Sequence, residues 1–169
     1  KDSSRGLDAT YGGEINAKTV NITTNGSHCA PLATDRGGGT ITVDGNSVLT
    51  SYGDGSPCIY STGDITVTSA SGSASGSQAV VVEGKNSVTL NDCTFESNGN
   101  NGVMMYQSAS GDASDKDSSS DSSYLTLSNT TLKNLSSGPM FYITNTSAVI
   151  NTEDCMFTNS QSTAFVNAA

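Results

Sequence analysis

The chain has 169 residues, of which 34% are hydrophobic and 14% charged, with 18 Gly and no Trp. Its 7 Lys and Arg against 16 Asp and Glu leave a net charge of -9. That balance argues against nucleic acid, whose phosphates need a basic surface, and against an anionic membrane surface. No apolar run is long enough to span a bilayer, so no membrane insertion is expected, and the size suits one domain with a narrow core.

Taken in order, the chain repeats one unit six times: a short apolar strand, a Gly, Asp or Asn turn, then a second alternating strand. Gly6–Thr10 leads through Gly12-Gly13 to Ile15–Ala17, and Cys29–Ala33 leads through Asp35–Gly39 to Ile41–Val43. Cys58–Thr62 leads through Gly63-Asp64 to Ile65–Val67, and Ala79–Glu83 through Gly84-Lys85 to Val88–Leu90. Val103–Gln107 leads, after a long insertion, to Leu125–Leu127, and Met140–Thr144 through Asn145-Thr146 to Val149–Asn151. A third strand closes each unit at Val20–Ile22, Ser47–Leu49, Cys93–Phe95, Thr130–Leu132 and Cys155–Phe157. The third unit has only small residues there, Ala70–Ala74, which predicts a slim coil.

The units start at 6, 29, 58, 79, 103 and 140, so the undisturbed spacing is 21 to 24 residues. A period of that size in short strands is the mark of a solenoid. With three strands per coil and no long 3.6-residue periodicity, the pattern predicts an all-β, parallel β-helix of about six coils. It is read as a single domain over residues 1–169, with a Ser-rich acidic loop at 108–123. Ala164–Ala168 matches the strand that opens a new coil, so the chain begins and ends inside the repeat, open and without a visible cap. A segment of a longer solenoid is expected, with neighbouring coils of that chain, or copies of itself, at the open ends.

Alternation sets the faces of the first strand. Inward are Leu7/Ala9, Ala30/Leu32, Ile59/Ser61, Val80/Val82, Met104/Tyr106 and Phe141/Ile143. The outward column is then Pro31–Tyr60–Val81–Met105–Tyr142, more apolar than a solvated face requires. Tyr60, Met105 and Tyr142, with Tyr11 nearby, are the candidate binding platform, because sugar rings stack on flat side chains.

The remaining chemistry is sparse. Cys29 and Cys58 fall in one column of adjacent coils, close enough for a disulfide or a ladder of free thiols. Cys93 and Cys155 share another column with Thr130 between them, too far apart to bridge. His28 is the only histidine and lies in a turn. Asp8 and Glu83 share the outward face but stand three coils apart, roughly 14 Å by strand spacing. That exceeds both glycosidase separations, so no catalytic residue is assigned. No metal site or cofactor is expected. The exception weighed is calcium on Asp112, Asp115, Asp117 and Asp121, which lack the EF-hand Gly and terminal Glu.

The strand motif of the Ile41-Thr42-Val43 and Ile65-Thr66-Val67 type, with its Gly and Ser turns, resembles the right-handed parallel β-helices of the pectin-lyase-like superfamily. More narrowly it resembles repeat-rich, adhesin-like surface proteins of bacteria. The resemblance implies architecture rather than chemistry, because the clustered Asp residues of the superfamily's lyases and hydrolases have no counterpart here. The expectation is therefore a non-enzymatic, secreted or cell-surface module whose partner is a glycan or a surface protein. The alternatives are a polysaccharide-degrading β-helix, or its non-catalytic part, and a filament subunit stacking end to end.

Overall fold

The computed structural model describes residues 1–108 and 121–169. In the first coil β1 (Leu7–Thr10), β2 (Gly13–Lys18) and β3 (Asn21–Thr24) follow one another. The second holds β4 (Leu32–Asp35), β5 (Gly39–Asp44) and β6 (Ser47–Ser51), and the third β7 (Ile59–Ser61), β8 (Asp64–Thr68) and β9 (Ala70–Ala74). The fourth holds β10 (Val80–Glu83), β11 (Ser87–Asn91) and β12 (Thr94–Ser97), and the fifth β13 (Val103–Tyr106), β14 (Ser123–Ser128) and β15 (Thr131–Asn134). The sixth holds β16 (Phe141–Thr144), β17 (Ala148–Glu153) and β18 (Met156–Asn159), and β19 (Val166–Ala168) opens a seventh.

Every pairing is parallel and joins a strand to its equivalent in the next coil. Three sheets result: one of seven strands from β1 to β19, and two of six. All-β architecture with a parallel solenoid of about six coils is what the periodicity predicted. No helix occurs among the described residues that is long and apolar enough to cross a membrane.

The core is a set of stacked columns. In the second sheet Ile15, Ile41, Ile65, Val88, Leu125 and Ile150 face inward in one file. In the third, Ile22, Leu49, Gly72, Phe95, Leu132 and Phe157 do the same. Each fully buried Leu or Ile contributes about 1.5–3 kcal/mol. The small residues of the third coil have a purpose: a Cβ on Gly72 would lie 2.2 Å from the Phe95 ring. The slim coil leaves the space that the fourth coil's largest side chain fills.

The turn between the second and third sheets carries a left-handed residue other than Gly in every coil. Thr19, Asn46, Ser69, Asp92, Asn129 and Asp154 have φ between 46° and 56°. Asn and Asp tolerate this region best among residues with a Cβ, and four of the six are Asn or Asp. The residues that follow stack as expected at Cys93, Thr130 and Cys155, and the Cys93 amide donates to Thr130 Oγ1 at 3.3 Å.

Three alignments of the sequence are corrected. Val103, not Met104, lies beside Val80, so the fifth coil is shifted by one residue and its faces exchange: Met105 is fully buried, and Met104 and Tyr106 face out. In the sixth coil Ile150, rather than Val149, sits beside Leu125. In the second coil Leu32, not Ala30, lies beside Ile59. Cys29 therefore neighbours Ser56, whose hydroxyl accepts from the Cys29 amide at 2.9 Å, and does not stack on Cys58. Both are free, buried thiols. The Ser108–Ser123 insertion, with Asp112, Asp115 and Asp117, lies mostly outside the described residues, and Ser123 already belongs to β14.

Candidate functional site

The outward face of the first sheet is built from two files of side chains. Asp8, Ala33, Tyr60, Val81, Met104 and Tyr142 form one. Glu83, Tyr106 and Thr144 belong to the other. A cleft of about 340 Å³ opens over the middle coils, floored by Val81 and walled by Tyr60, Met104, Tyr106, Gln78 and Arg5. This lies at the low end of small-molecule sites, and its walls are mostly apolar with a few polar groups.

Glu83 ties the cleft together. It is 3% exposed, and its Oε2 accepts hydrogen bonds from both Tyr60 and Tyr106, the latter at 2.9 Å. Burial, reinforced by the Glu83 bond and charge, pushes the Tyr106 phenol up to about 12. The Tyr60 phenol is raised further, first by burial and then by its bond to Glu83. Both hydroxyls therefore remain protonated donors, and both rings are pinned.

Arg5 closes one side. Its guanidinium lies over the Tyr60 ring at 5.9 Å from the centroid, donates to the His28 carbonyl and pairs with Asp35 at 3.8 Å. Beyond it a second hollow of about 350 Å³ is lined by Asp8, Tyr11, Asp35 and Arg36, with Arg5 shared. The Asp8 carboxyl is raised above the usual range, chiefly by burial and next by the Asp35 charge.

Of the residues expected from the sequence, Tyr60 walls the cleft, and Tyr142 stands beside Met104 in the same file. Tyr11 is 79% exposed and lines the second hollow instead. Met105 is in the core, so Met104 takes its place on the platform. Arg5, Gln78 and Tyr106 complete the cleft, with the buried Glu83 bonded to both tyrosine hydroxyls, and none of the four was assigned to it. The shifted fifth coil hid Tyr106, because Val103–Tyr106 is apolar or aromatic throughout and lacks the alternation that sets a strand's faces.

A family model described as a right-handed beta helix region matches residues 5–168. The chain belongs to that family. For this right-handed β-helix, no curated protein and no solved structure gave a match. Among the described residues of the β-helix, no group of three or more His, Cys, Asp or Glu could hold a metal ion.

Proposed function

We propose that this β-helix is a non-enzymatic, secreted or cell-surface module that binds glycan on the outward face of its first sheet. The observation that carries this reading is the cleft bounded by Tyr60, Met104 and Tyr106, with two ring positions locked through Glu83. Sugar rings present apolar C–H faces and peripheral hydroxyls. Flat side chains meet the faces, and Gln78 and the tyrosine hydroxyls meet the rim. Because the rings are already fixed, little side-chain entropy is lost on binding.

The test is a broad glycan and polysaccharide array probed with the wild type and with a Met104→Ala/Tyr142→Ala double variant. Both residues lie outside the Glu83 hydrogen bonds, so the variant keeps the fold. Binding by the wild type that disappears in the variant supports the reading and locates the face. No binding to any glycan rejects it.

One observation favours a second reading, polysaccharide cleavage. In the polar hollow the Asp8 carboxyl is raised, chiefly by burial and next by the charge of Asp35, and a pair of carboxyl groups is what glycoside hydrolysis uses. Release of reducing ends from a polysaccharide, abolished by Asp8→Asn, is the result that would move this reading ahead.

A further inference from the structure

We propose that the first-sheet cleft selects N-acetylated hexosamines, with the acetamido group as its point of recognition. This rests on the glycan reading of the same cleft and names its ligand class.

The lining joins an apolar surface to a hydrogen-bond donor that lacks an oxygen partner. Ala30, Pro57, Val81 and Met104 supply the apolar part. Gln78 supplies the donor. Its side-chain carbonyl accepts from the Ser77 hydroxyl at 3.0 Å, which orients the carboxamide. Its amide nitrogen then meets only the Met104 sulfur among the described residues, at 3.9 Å. A thioether is a weak acceptor, so the N–H pair stands ready for a stronger one. Arg5 shows the same shortage of acceptors, because its buried Nε has no hydrogen-bond partner among the described residues.

An acetamido group answers both features at once. Its carbonyl oxygen accepts from Gln78, and its methyl rests on Val81 and Met104, neighbours on adjacent coils. A hydroxyl at the same ring position would satisfy Gln78 but leave that apolar surface in water.

Charge favours a neutral ligand. A free amine finds no carboxylate in the lining, because Glu83 is 3% exposed and lies outside it. A uronate would meet Arg5, but that guanidinium is paired with Asp35 and donates to the His28 carbonyl. Glu83, held by both tyrosine hydroxyls, adds a second negative charge behind the wall. The net charge of -9 repels an anionic polymer at longer range.

A peptide also carries amide carbonyls and methyl groups, but the backbone of the cleft cannot receive one. The strands β7, β10 and β13 are each paired on both sides, so no open edge is available for strand addition. Recognition therefore falls to side chains, which suits a saccharide.

The experiment is calorimetric titration of the whole chain with matched short oligomers of N-acetylglucosamine, glucosamine, glucose and galacturonic acid, and with an alanine-rich peptide. The N-acetylated oligomers are expected to bind about ten-fold more tightly than those of glucosamine or glucose. Gln78→Glu, which keeps an acceptor for Ser77 and removes the N–H pair, is expected to erase that difference. A preference that survives in this variant overturns the role given to Gln78. Should Gln78→Glu fail to fold, the wild type decides. Binding of the neutral oligomer must hold steady as ionic strength rises, and a steep fall with salt overturns the charge argument. Equal or tighter binding of the glucose, glucosamine or galacturonic acid oligomers overturns the acetamido inference while leaving the glycan reading intact. Tighter binding of the peptide overturns it in favour of a protein partner. Absence of binding by every oligosaccharide rejects both the inference and the reading beneath it.

Discussion

Tyr106 lies directly beside Glu83 on the next coil, and its hydroxyl donates to the Glu83 carboxylate at 2.9 Å. Tyr60, one coil to the other side, donates to the same oxygen. Three consecutive coils are thus joined by side chains as well as by backbone. Tyr60→Phe and Tyr106→Phe are each expected to cost about 1.5–3 kcal/mol, the value of a lost hydrogen bond to a charged group. The double variant should cost more than the sum, because Glu83 is then left buried without either donor. Urea melts of the two singles and the double decide this, and strict additivity would remove the shared-oxygen account.

The same pair sets an alkaline limit. The folded Tyr106 phenol titrates near 12 against 10.0 for an unperturbed tyrosine. Its folded value is the higher one, so the neutral form is favoured by folding. The associated stability is complete below about pH 10 and is lost as the pH climbs toward 12. Tyr60 shifts in the same direction. Denaturant midpoints should fall across that window, together with the appearance of tyrosinate absorbance, and Tyr106→Phe should flatten the fall.

The exchange of faces in the fifth coil separates two adjacent methionines. Met105 is fully buried, so Met105→Ala should cost about 2–5 kcal/mol. Met104 is half-buried on the outward face, and Met104→Ala should leave stability within about 1 kcal/mol, because surface changes rarely exceed this. Thermal melts compare the two directly. A larger loss for Met104 would restore the alignment read from the sequence.

Gly72 and Phe95 are complementary across adjacent coils. Gly72→Ala drives a methyl into the Phe95 ring, and overpacking of this kind costs about 1–3 kcal/mol. Phe95→Leu should recover part of that loss when combined with it, and should itself be destabilising with Gly72 in place. A double-mutant cycle on denaturation midpoints measures the coupling.

Cys58 is buried, and burial pushes its thiol up to about 12. Cys155 is partly exposed. A thiol reagent at neutral pH should label Cys155 in the folded protein and reach Cys58 only after denaturation. Peptide mapping of the labelled chain checks the order, since the thiolate is the reacting form.

The solenoid was legible in the chain because each coil repeats its own instructions locally. Apolar alternation in Ile41–Val43, Ile65–Val67 and Val88–Leu90, with Asn, Asp or Ser at the left-handed turn positions, states the same strand and turn each time. Tyr60 and Tyr142 were placed on the outward face by that alternation. The rest depended on register. Val103–Tyr106 has no polar residue to mark a face, so its local pattern fits either orientation equally well. The tertiary structure decides between them through neighbours: Gly102 sits where a Cβ would meet Met140 at 2.5 Å, and its carbonyl accepts from the Ala79 amide. That one-residue choice brings Tyr106 to Glu83 and sends Met105 into the core. Arg5 precedes β1, two coils from Tyr60, and its long side chain brings the guanidinium over that ring. Alternation is a property of a single strand and is written in its residues. Contacts between coils depend on how many residues each turn consumes, and only packing of one coil on another determines that number.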